Sequence, residues 1–164
     1  MKNKNVLIVG MVALIVFVLG CLLLFNKNSN KTKFDLDLVQ KEFMKEFKEY
    51  DVREFDQYDI SMYFGLDFNE IPSSLFISDF SEDPDEPKPF APKVLIIVIN
   101  TQDAEDYYDS LLGFVDLNRN NLEDKKLAKK YEKAILKKGK NYVYLLLGDN
   151  PKDMEKKLLE LAKK

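Results

Sequence analysis

Val94-Leu95-Ile96-Ile97-Val98-Ile99 is apolar at every position. A strand with one wet face alternates apolar and polar residues, and this one does not. Its shortness and β-branched content predict a central strand covered on both faces. Tyr142 to Leu147, YVYLLL, reads the same way. These two runs decide the fold, because a doubly covered strand needs neighbours on both sides and layers above and below.

Working outward, Ser74 to Phe80 (SLFISDF) alternates and is β-rich, which predicts a strand. Between it and Val94 lies Ser81 to Pro92, SEDPDEPKPFAP, with four of the six prolines. Proline removes a backbone donor and fixes φ, so this segment predicts an extended acidic loop with polyproline character. Glu82, Asp83, Asp85 and Glu86 in it are the candidate partner contacts. The competing reading is a tolerated surface insertion, since loop length costs little entropy. Ala134 to Gly139 fits either a helix end or a short strand, Ala134–Lys137, turning at Lys138 to Asn141. The sum is an α+β domain over 34–164. One mainly antiparallel four-stranded sheet, near Leu75–Phe80, Val94–Ile99, Ala134–Lys137 and Tyr142–Leu147, is covered by helices.

The helices follow from spacing. Asp35 is an N-cap, and Leu36, Val39, Phe43, Phe47 and Tyr50 form one apolar stripe. A short helix over Tyr58 to Phe64 ends at Gly65, and a further short turn precedes Pro72. Thr101 or Asp103 caps a long helix whose stripe is Ala104, Tyr107, Tyr108, Leu111, Leu112 and Val115. Asn118 to Asn121 should break or bend it before a second segment, about Leu122 to Glu132. Asn150-Pro151 starts a last helix buried by Met154, Leu158 and Leu161.

Ahead of the domain, Val6 to Phe25 is twenty residues without a charge. At about 1.5 Å per residue a helix of that length spans about 30 Å, a bilayer's hydrocarbon core. With Lys2 and Lys4 before it, residues 1–25 are a membrane anchor or a signal segment, and 26–33 (NKNSNKTK) is a polar tether. Either the helix is retained, or Val18-Leu19-Gly20-Cys21 is a lipobox and Cys21 carries a lipid. Leu22 to Phe25 extend the apolar run past Cys21, which favours the anchor. Lysines flank both sides, so charge counting nearly ties; a short N-terminal tail favours a domain outside the cytoplasm.

Composition excludes much. There is no histidine or tryptophan, and Cys21 is the single cysteine. Zinc sites of Cys and His, and Ser-His-Asp or Cys-His catalysis, cannot form within the chain. No glycine-rich phosphate loop exists, and Gly139-Lys140 lacks the motif before it. Asp116 to Asn121 imitates half a calcium loop, but position twelve is Leu127 rather than Glu. No catalytic, cofactor-binding or metal-binding residue is therefore assigned, and a nucleic-acid partner is not expected. Of the 28 acids no pair stands out for hydrolytic chemistry. Charge is uneven: 34–121 holds 21 acids and 7 bases, 122–164 holds 7 acids and 13 bases. Either the halves neutralise each other on folding, or the second presents a basic face to anionic lipid or polymer.

Asp35-Leu36-Asp37, Tyr63-Phe64-Gly65-Leu66-Asp67, Gly139-Lys140-Asn141-Tyr142-Val143 and Asp149-Asn150-Pro151, in this order, resemble a bacterial domain-of-unknown-function family. Its members are small exported lipoproteins or membrane-anchored proteins. The resemblance covers 33–164, implies the strand reading of Ala134–Lys137, and brings no catalytic residues. The long loop 81–92 departs from the family's short one. The expected function is a membrane-tethered extracytoplasmic domain with a non-enzymatic binding or structural role at the cell surface. An accessory or regulatory subunit of a membrane complex, docking through 81–92, is the alternative. A carboxylate-based hydrolase comes third.

Overall fold

The computed structural model describes residues 33–66, 73–79 and 92–162. Among them, in chain order, are α1 (Leu36–Glu46), β1 (Val52–Glu54), α2 (Gln57–Phe64), β2 (Ser74–Asp79) and β3 (Leu95–Asn100). Then come α3 (Ala104–Asn121), α4 (Lys125–Lys133), β4 (Ile135–Lys138), β5 (Tyr142–Leu147) and α5 (Pro151–Leu161). The anchor or signal segment 1–25, the turn before Pro72 and residues 80–91 of the acidic loop lie outside the described residues, as does Phe80 of the expected first strand.

The strands form one sheet in the order β1-β2-β3-β5-β4, and every neighbouring pair is antiparallel. β3 is central, and every one of its residues is buried. It pairs with β2 from Ser74↔Ile99 to Ser78↔Leu95 and with β5 from Leu95↔Leu147 to Asn100↔Tyr142. The sheet has five strands rather than the expected four. The extra one is β1, three residues at the edge with only Val52 half-buried. One partly apolar residue gives no period, and the pairing with β2 makes the strand.

Alternation along the inner strands sends side chains to two separate cores. Phe76, Leu95, Ile97, Ile99, Val143, Leu145 and Leu147 pack with α2, α3 and α4, around Ile60, Phe64, Leu111, Phe114 and Tyr131. Leu75, Ile77, Ile96, Val98, Tyr144 and Leu146 pack with α1 and α5, around Val39, Phe43, Met154 and Leu158. From Leu75 on, β2 is buried on both faces too, so Ser78 and Asp79 mark no wet face. Each fully buried Leu, Ile or Phe removes enough apolar surface to contribute about 1.5–3 kcal/mol.

Local signals set the ends. The Asp35 carboxylate accepts from Leu38 N–H at 3.1 Å and caps α1. Gly65 ends α2 in the left-handed conformation, φ 64°, where a side chain would be strained. Gly139 opens the β4–β5 turn, and a Cβ there would run into the Tyr142 ring. Two readings of α3 need correction. Asn118 to Asn121 continue the helix, and the Asn118 amide donates to the Phe114 carbonyl one turn back at 2.8 Å. Phe114 joins the buried stripe, while Leu112 faces outward at 38 % exposure. Ala134–Lys137 resolves in favour of a strand, Ile135–Lys138.

One buried amide ties the start of the domain to its centre. Asn100, the last residue of β3, accepts from Phe34 N–H and donates to the Phe34 carbonyl, both at 2.9 Å. The Phe34 ring meets Tyr142 edge-on, with centroids 5.0 Å apart. Asn100→Ala would leave both Phe34 backbone groups buried and unpaired, at a cost of about 2–3 kcal/mol. Urea unfolding should show a lower midpoint with an unchanged slope; an unchanged midpoint would dispose of the clamp.

Candidate functional site

Three polar groupings stand out among the described residues. The first is a cavity of about 380 Å³ where the start of α1 faces β1 and β2. Asp35, Asp37, Gln40, Glu54, Ser73 and Ser74 are in its wall. Two of its three carboxylates have structural duties. Asp35 caps α1, and Glu54 accepts from the Gln40 amide at 2.7 Å. No set of three metal-ligating side chains gathers there or elsewhere among the described residues.

The second grouping is Tyr144, Glu155 and Lys137. Tyr144 O–H donates to Glu155 Oε1 at 2.5 Å, and Lys137 Nζ lies 2.8 Å from the same oxygen. Lys137 stands directly opposite Tyr144 across the β4–β5 ladder. Burial, then the Glu155 hydrogen bond and charge, push the Tyr144 hydroxyl far above its ordinary range. Burial alone would raise Glu155, but the Lys137 and Tyr144 hydrogen bonds and the Lys137 charge outweigh it and lower it. The Tyr144 proton is engaged by Glu155, which Lys137 in turn holds. The trio fastens α5 to the hairpin. Its sequence signal was present: Glu155 falls on the stripe of Pro151, Met154 and Leu158.

The third grouping closes the base of the 80–91 connection. Asp79 Oδ1 accepts from Val94 N–H at 2.7 Å, and Ser78 Oγ donates to the Val94 carbonyl at 2.9 Å. Burial raises the Asp79 carboxyl above its ordinary 3.8, against the opposing pull of backbone hydrogen bonds from Val94 and Lys93.

The residues picked out by sequence fare as follows. Cys21, Glu82, Asp83, Asp85 and Glu86 lie outside the described residues. Asp116 to Asn121 are helical, so they form no calcium loop, and Asp116 pairs with Arg119 at 2.9 Å. Gly139-Lys140 is a hairpin turn. Asn150 precedes α5 as expected, but its side chain makes no cap bond to the helix backbone and bonds the Asp153 carboxylate instead.

Neutralisation between the two charge halves is partial. Lys138 pairs with Glu105 and Lys157 with Glu46, whereas Lys130–Asp149 and Lys137–Glu155 lie within the basic half. Lys125, Lys126, Lys129 and Lys133 on α4 are exposed and have no ion partner among the described residues.

No family model, curated protein or solved structure matches the chain.

Asp79 yields a pH test. A carboxyl whose pKa is higher folded than unfolded binds its proton more tightly when folded. Its contribution is greatest below 3.8 and declines as pH rises through the raised value. The stability of the wild type relative to Asp79→Asn should therefore fall as pH rises from 3.8 through the raised value in urea titrations. A relative stability that climbs with pH would mean that the charged form is the one favoured.

Proposed function

We propose that this chain is a membrane-tethered domain acting outside the cytoplasm, with a binding or structural role at the cell surface rather than a catalytic one. The observation that carries the reading is the uncharged run Val6 to Phe25, twenty residues long, ahead of a domain with two cores of its own. Among the described residues no helix is long and apolar enough to cross a membrane, so the span rests on that run. Membership of the exported family whose motifs the chain resembles belongs to the same proposal.

The preference for a non-catalytic role rests on how the inner polar side chains are engaged. Asn100 holds Phe34, Asp79 and Ser78 hold Val94, and Thr101 Oγ1 accepts from Asp103 N–H at 3.0 Å. Asp59 completes the capping box of α2 and pairs with Arg53 at 3.3 Å. These groups bond the chain's own backbone and elements. A reacting group needs a pKa and a geometry poised toward a substrate.

The chain should stay with membranes through alkaline carbonate and leave only with detergent. Intact mass should equal that of the full chain; a mass lacking the residues before Cys21 and carrying acyl chains would instead assign a lipoprotein. Recovery in the carbonate supernatant would overturn the tethered reading.

A further inference from the structure

α4 is a short helix with a divided surface. Tyr131 is buried in the core beneath α3 and α4, with Leu127 packed beside it. At about 100° per residue, Lys125, Lys129, Lys133 and Lys126 fall within one arc of about 100° on the outer side. All four are exposed, and none has an ion partner among the described residues. Lys125, Lys129 and Lys133 follow at intervals of four, which stacks like charges along the helix and disfavours it locally. Lys130, one step round the helix, pairs with Asp149 at 2.8 Å. The acids nearest in sequence are Glu132, Glu123 and the N-cap Asp124, whose carboxylate accepts from the backbone of Lys126 and Leu127.

We infer that this outer face of α4 docks on the anionic headgroups of a lipid bilayer. The inference rests on the tethered reading above. Two features favour lipid over an acidic protein. A protein interface needs an apolar or aromatic centre, whereas a headgroup layer asks only for cationic charge near its surface. The exposed large apolar side chains among the described residues, Tyr58, Met62, Leu112 and Leu117, belong to α2 and α3, and none to α4. Tethering is the second feature. Only eight residues, Asn26 to Lys33, separate the apolar run from the domain, so a weak electrostatic contact works at high local concentration.

The test uses the full chain reconstituted into phosphatidylcholine vesicles, or into vesicles with about 30 mol% phosphatidylglycerol. A water-soluble acetylating reagent reports each lysine by peptide mass spectrometry. On anionic vesicles Lys125, Lys126, Lys129 and Lys133 should react at least about threefold more slowly, and about 0.5 M salt should abolish the protection. Lys41 and Lys45 of α1, and Lys48 in the turn after it, should react alike on both. Equal rates at α4 on the two vesicles would overturn the inference, as would equal slowing at α1. Stronger protection by soluble polyglutamate than by anionic vesicles would assign the face to an acidic protein and also overturn it. Flotation with neutral vesicles judges the tether separately. If the chain fails to float there, the tethered reading falls. The α4 face is then decided by anionic vesicles, with which the wild type must float and the fourfold variant K125Q/K126Q/K129Q/K133Q must not.

Discussion

β3 meets water on neither face, and the domain is built to meet that condition. A strand so placed must pair on both edges, or its backbone donors and acceptors would be buried without partners. β2 and β5 supply the pairing. Its side chains must be covered twice, which calls for α2, α3 and α4 on one face and α1 and α5 on the other. The edge positions fall to strands that can tolerate water: β1, three residues long, and β4, which ends in Lys137 and Lys138. Short or lysine-bearing edges discourage further strand addition.

The polar side chains inside this structure act mainly as fasteners between elements. Asn100 joins the start of the domain to the central strand, and Asp79 joins the two ends of a connection. Lys157 donates to the Glu42 carbonyl at 3.0 Å and lies over the Phe43 ring, which holds α5 against the end of α1. A buried donor or acceptor costs more when unpaired than it contributes when paired, so such groups fix one arrangement rather than add much net stability.

The sequence made the centre legible because burial on both faces leaves an unmistakable run, as at Val94 to Ile99 and Tyr142 to Leu147. Caps read well where geometry demands one residue type, as at Asp35 and Gly65. β1 did not, because a three-residue edge strand is specified by its neighbour β2 rather than by its own pattern. Asn118 to Asn121 misled, since asparagine favours turns in isolation. Here Phe114, Val115 and Leu122 pack into the core on either side of Asn118 and keep the helix going through it. Among the polar groupings, Glu155 on an apolar stripe was a readable anomaly. The Asn100 clamp needed the fold, because Phe34 stands 66 positions away.

The clamp also determines how the domain would feel a pull. Phe34 is 3 % exposed and held by two hydrogen bonds and by the edge of an aromatic ring, one residue before the cap of α1. Tension arriving along the chain from upstream reaches this amide grip first and passes into the end of the central strand. α1, with Val39 and Phe43 in the core, is loaded only after the grip has yielded. The junction therefore hands such a load to the hydrogen-bonded ladder of the sheet at Asn100 before the packing of α1 has to bear it.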